Sequence, residues 1–179
     1  MLIFTWDYLS DAITYGEYIH LTGDYSARLL MLTMAVTPLR LLFPRANWTA
    51  WLVRNRRYFG VAAFGYAVPH LLAYMIRLGV WGDILEDAMD PGLWTGWLAF
   101  FIFIPLAITS NNFSMRKLGR NWKLMHRLVY FSAILTFVHW FIVAFDPIPG
   151  LIHAAVLLAL ELLRLGLTYW PRRNERATA

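Results

Sequence analysis

Five histidines carry most of the metal or redox chemistry open to this 179-residue chain: His20, His70, His126, His139 and His153. Cysteine is absent, so disulfide, thiolate, zinc–cysteine and iron–sulfur chemistry are excluded. His70 stands 13 residues beyond Arg57, and His139 stands 12 beyond Arg127. With each arginine marking the same entrance of two parallel helices, a rise of about 1.5 Å per residue puts the imidazoles within about 2 Å of one depth. Two imidazoles at one depth on separate helices can clamp a single iron from opposite faces. That is the axial pair of a b-type haem, a cofactor commonly housed in four-helix cores. Without cysteine the haem would be held non-covalently.

The remaining candidates are read beside their plainer alternatives. His126 precedes His139 by 13 residues, about 20 Å along one helix. On a straight helix the two side chains diverge by about 140°. Next to the basic segments Arg54–Arg57 and Arg116–Lys123, His126 reads either as the electron-input end of the molecule or as an interfacial histidine. A second haem would need a ligand near Arg56 or Arg57, where there is no histidine. Arg77, seven residues past His70, suits a haem propionate or a side chain snorkelling to headgroups. Arg28 invites the same pair of readings, and His20 and His153 fall at the outer edge. Glu161 and Arg164 are i,i+3 neighbours able to neutralise each other.

These residues need membrane helices to position them. The chain is 59% hydrophobic and only 15% charged, with a mean hydropathy of +0.49. That departs far from the profile of a soluble domain. A bilayer core of about 30 Å requires about 20 mostly apolar helical residues. Five stretches qualify: 25–43, 58–78, 93–108, 128–145 and 148–170. Residues 1–19 carry Asp7, Asp11 and Glu17 and lack the basic start of a signal peptide, so they read as an interfacial segment. The expected fold is an all-α integral membrane bundle of about five transmembrane helices. Residues 1–19 form its interfacial segment, 20–170 the membrane domain and 171–179 a basic cytoplasmic tail.

Loop charges orient this bundle. Arg40, Arg45 and Arg54–Arg57 fall on one side, with Arg116–Arg127 and the final arginines. Asp83, Glu86, Asp87, Asp90 and Asp146 fall on the other, with the acidic N-terminus. By the positive-inside rule the N-terminus is outside and the C-terminus cytoplasmic. The net charge of +5 is therefore topological, since nucleic-acid binding leaves the apolar spans unexplained. No phosphate loop, dinucleotide fingerprint or nucleophile–base set is visible, which favours an electron carrier over a complete enzyme.

Several blocks resemble the MsrQ/YedZ family: His20–Leu–Thr–Gly23 with Leu29 to Arg40, Asn55 to Gly60 leading to Tyr66 and His70, Pro105 to Asn111, and Leu118 to Tyr130 followed by His139. They cover residues 20 to 145 in the family's order. The family usually has an additional N-terminal span, where this chain offers residues 1–19. The resemblance implies a ferric-reductase-like haem subunit of the bacterial inner membrane. Its implied donors are quinol or a cytosolic flavin reductase, FMN is an associated cofactor, and its implied acceptor is a periplasmic molybdopterin methionine sulfoxide reductase. The family's motif histidines fall on His70, His126 and His139. Two other functions compete with this one: a free-standing transmembrane reductase of ferric chelates, oxygen or superoxide, and a haem-free accessory subunit of a membrane complex.

Overall fold

A computed structural model describes residues 2–79 and 90–177, and no strand occurs among the described residues. The acidic residues Asp83, Glu86 and Asp87 of the expected outer loop lie outside them. The helices are α1 (Leu2–Leu9), α2 (Tyr15–Leu42), α3 (Asn47–Leu78), α4 (Pro91–Ile108), α5 (Asn112–Leu118), α6 (Arg120–His126), α7 (Leu128–Val143) and α8 (Ile148–Ala177). The chain is an all-α, multi-pass membrane bundle.

Local chemistry fixes the ends. Thr14 and Glu17 form a capping box, with Thr14 N donating to Glu17 Oε2 at 2.8 Å, so α2 begins ten residues ahead of the apolar stretch 25–43. It runs without a break through residues 19 and 20. Gly79 closes α3 in the left-handed region at φ 72°. Asp90 caps α4 through a 2.7 Å bond from Gly92 N, with Pro91 in the first turn, where its missing N–H costs nothing. At the other end of α4 the Thr109 and Ser110 hydroxyls donate back to Pro105 O and Leu106 O, and Asn111 caps α5. The chain bends there by 93°.

Among the described residues three helical stretches are long and apolar enough to cross a membrane: Asn47–Leu78, Arg120–Val143 (α6 and α7 together) and Ile148–Tyr169. The bent pair α4–α5 supplies a fourth if it forms one span. The remaining expected stretch, 25–43, lies in α2, whose 28 residues include Glu17, Asp24, Arg28 and Arg40. This helix occupies the middle of the bundle, where Tyr18, Ala27, Leu30, Met34, Ala35 and Val36 are buried. A helix surrounded by protein need not be apolar all round, which explains its weaker signal. Leu30, Met34, Ala63, Phe103, Ala133 and Leu157 bring α2, α3, α4, α7 and α8 into one core. Serine hydroxyls tie the bundle across helices, Ser26 to Ala63 O at 2.9 Å and Ser132 to Ala99 O at 3.2 Å.

The N-terminal segment is a short helix folded back on the bundle. Phe4 stacks on Tyr25 and Tyr8 on Tyr18, with ring centres 5.4 and 4.7 Å apart.

Candidate functional site

His70 on α3 and His139 on α7 meet inside the bundle, their ring centres 6.3 Å apart and their planes at 88°. Both line a cavity of about 300 Å³ formed mainly by residues of α2, α3, α4 and α7. Each ring is held by a backbone carbonyl on a neighbouring helix. His70 Nδ1 lies 2.9 Å from Ile19 O, and His139 Nδ1 lies 2.6 Å from Gly92 O. A carbonyl only accepts, so each Nδ1 carries the hydrogen and each Nε2 keeps its lone pair for a ligand.

Two glycines make this arrangement possible. A Cβ at Gly23 on α2 would sit 3.0 Å from His70 Cε1, and one at Gly96 on α4 would sit 2.8 Å from His139 Cε1 and Nδ1. Each imidazole therefore packs closely against the backbone of the adjacent helix. Sequence reasoning passed over both glycines and both carbonyls. The available signal was a glycine inside an apolar helical stretch, which costs about 1 kcal/mol relative to alanine and calls for a packing reason.

The donor set discriminates between a bare metal and a macrocycle. Among the described residues no group of three or more His, Asp or Glu could hold a metal ion. Protein-bound zinc needs three or four such ligands. Two opposed imidazoles instead suit an iron whose remaining positions a porphyrin fills. A metal–nitrogen bond of about 2 Å, plus about 1 Å from nitrogen to ring centre, gives about 6 Å between ring centres on opposite sides of one iron. The 6.3 Å separation fits.

The other predicted residues sit elsewhere. His126, at the end of α6, is about four turns from the pair by residue count. Its Nε2 lies 3.0 Å from Thr109 Oγ1, its ring stacks on Trp122 at 3.9 Å, and Trp122 Nε1 donates to Thr109 O. It lines a second cavity of about 280 Å³ together with Arg56, Arg57, Lys123, Arg127 and Tyr130. Phe103 borders both cavities. Arg77 is exposed, does not line the first cavity, and holds its guanidinium 5.8 Å from the centre of the Tyr15 ring. His20 lines the first cavity's mouth beside Asp24, 3.4 Å away, and Asp24 also pairs with Arg28 at 3.0 Å. His153 Nδ1 bonds to Pro149 O within its own helix, and its ring centre lies 5.5 Å from that of Trp140.

The fold and site together define a class: a multi-pass helical membrane protein with a paired-histidine cavity in its core. Comparison with known proteins makes this specific, for residues 22–137 match the family described as ferric reductase like transmembrane component. A "Protein-methionine-sulfoxide reductase heme-binding subunit MsrQ" of Xanthomonas campestris pv. campestris (strain 8004) is 39% identical over 168 residues, covering 91% of this chain and 73% of the relative. The protein of that name from Xanthomonas axonopodis pv. citri (strain 306) is 37% identical, covering 97% and 79%. That from Brucella ovis is 38% identical, covering 87% and 70%. The chain belongs to the MsrQ family of ferric-reductase-like membrane proteins. No solved structure matches it.

Proposed function

We propose that the chain is the haem-binding electron-transfer subunit of a methionine sulfoxide reductase system in a bacterial inner membrane. The observation that carries this reading is the facing pair His70 and His139, each Nδ1 tied to a backbone carbonyl within a helix-lined cavity. Their Nε2 atoms would hold one b-type haem, which supplies a one-electron ferric/ferrous couple. The protein's own part is to keep both imidazoles in one tautomer and orientation through Ile19 O and Gly92 O. The wall around them is mostly apolar.

The basic end of the bundle serves as the electron-input side. Arg56, Arg57, Lys123 and Arg127 around His126 suit an anionic or aromatic donor, either quinol or a flavin such as FMN supplied by a cytosolic reductase. Electrons leave on the opposite side for a periplasmic catalytic subunit of molybdopterin type, the acceptor that family membership favours.

Two measurements test this. The purified protein should give a low-spin b-type reduced-minus-oxidised spectrum, with about one haem per chain for the single axial pair. His126→Ala should leave that spectrum intact while slowing haem reduction by quinol and by a flavin reductase, with dithionite reduction unchanged. A haem-free protein rejects the function, and wild-type kinetics with both donors reject the role of His126. Orientation is tested separately: a C-terminal tag should react only with cytoplasmic reagents, and labelling from the periplasm alone reverses the topology.

A further inference from the structure

The last helix carries a polar cluster that electron transfer between the cavities leaves unexplained. On α8, beyond the residues 22–137 that define the family match, Arg164 Nε lies 2.9 Å from Glu161 Oε2, with the side chains 22% and 14% exposed. Ionisable groups within a membrane span are costly and tend to mark function. Glu161 is held by charge alone, because both its oxygens are buried without a hydrogen bond. Arg56 of α3, which lines the inner cavity, adds a second attraction to this carboxylate.

Arg164 makes a further contact that its partner carboxylate does not require. Its Nη1 donates to the hydroxyl oxygen of Tyr130, and its guanidinium carbon lies 5.2 Å from the centre of that ring. Tyr130 also lines the inner cavity. Because its oxygen accepts from a cation, its own O–H is polarised into a stronger donor. That hydrogen has no protein acceptor among the described residues. The cavity also presents aromatic rings, Trp122 stacked on His126 together with Phe64 and Phe103, beside the cations Arg56, Arg57, Lys123 and Arg127.

We infer that Tyr130, set by Arg164 and Glu161, is the hydrogen-bond donor with which the inner cavity grips a ring carbonyl oxygen of a planar aromatic redox molecule. Glu161 and Arg164 are positioning residues that act through Tyr130. The inference rests on the reading of this end as the electron-input side and adds the group that recognises the donor. A quinone and a flavin share the ring carbonyl, so both are tested.

Equilibrium dialysis of the full chain in lipid nanodiscs against menadione and, separately, FMN measures the affinity directly. One probe should bind the wild type, and Tyr130→Phe should weaken it about tenfold, the size of one good hydrogen bond. The probe affected identifies the source. Glu161→Gln should weaken the same probe, and the double variant should be no worse than Tyr130→Phe, since residues acting in series are not additive. Tyr130→Phe keeps the ring and its packing, so it decides the main claim even if Glu161→Gln fails to fold. Absence of binding to the wild type, or wild-type affinity for both probes in Tyr130→Phe, overturns the inference. Additive losses reject the role of Glu161 and leave it a helix staple. The measurement needs no haem reduction, so a chain that binds a probe but lacks haem rejects the proposed function alone.

Discussion

Alanine at either His70 or His139 should remove the low-spin b-type haem spectrum while leaving the protein in the membrane. The two rings stand at the spacing one iron requires, 6.3 Å between centres, and each is already committed to its tautomer by a carbonyl on another helix. With one ring removed, a haem held by this pair would keep a single protein ligand, and its low-spin spectrum would turn high-spin or the haem would be released. Because the binding is non-covalent, the haem content of each single variant should fall several-fold or more. His153→Ala is the control, since that ring bonds within its own helix, and it should keep wild-type occupancy. The ligand assignment does not survive if both alanine variants retain the wild-type spectrum and haem content. Histidine supplied as free imidazole offers a rescue test, because an imidazole-sized hole at the right depth should restore low-spin character.

Depth was legible in the sequence; rotation was not. Counting from Arg57 and Arg127 brings His70 and His139 level because both helices leave the same side and rise uniformly. Which helix face meets which depends on contacts between helices that residue counting does not reach. Arg77 shows the consequence: seven residues from His70 should keep it on nearly the same face, yet it turns toward Tyr15. The 140° divergence expected between His126 and His139 presumes a straight helix. The chain instead breaks at Arg127, where Arg127 N bonds Leu124 O and Tyr130 N bonds Arg127 O, both three residues back. These tighter turns interrupt the regular helix between the two histidines, and His126 lines a cavity of its own.

The helix boundaries divide along the same line. Stretches 93–108 and 128–145 lie close to α4 and α7, because an apolar run ends where the lipid-facing surface ends. Helix α3 begins eleven residues before stretch 58–78, and α2 ten residues before 25–43. Both extensions carry charge, and that of α2 is set by the Thr14–Glu17 capping box rather than by hydropathy, whereas α3 starts after Ala46 with no side-chain cap. The carbonyls that hold the histidines belong to Ile19 and Gly92, residues whose side chains carry no chemistry, so no reading of residue types could have singled them out.

The glycines against the histidines give the sharpest separation between fold and cofactor binding. Intrinsic helix propensity says Gly96→Ala on α4 and Gly23→Ala on α2 should stabilise their helices by about 1 kcal/mol each. Packing says the reverse for the site. A methyl at Gly96 lands 2.8 Å from two atoms of the His139 ring, and backbone-borne carbon cannot give way. The imidazole must swing, losing its 2.6 Å contact with Gly92 O and its alignment with His70. A lost hydrogen bond together with an off-rotamer side chain amounts to about 1–3 kcal/mol, or a tenfold or greater fall in haem affinity. Gly23→Ala, with His70 at 3.0 and 3.1 Å, should act in the same direction and less strongly. Gly65→Ala and Gly166→Ala meet nothing within 4 Å and serve as controls that gain propensity without touching either ring. Haem titration of each purified variant, paired with the thermal midpoint of its haem-free form, reads the two effects apart. The expected pattern is weakened haem binding in Gly96→Ala and Gly23→Ala, with the haem-free fold no less stable than the wild type. Wild-type haem affinity in Gly96→Ala would show that His139 can hold its place without the glycine, and the packing argument for the site would fail.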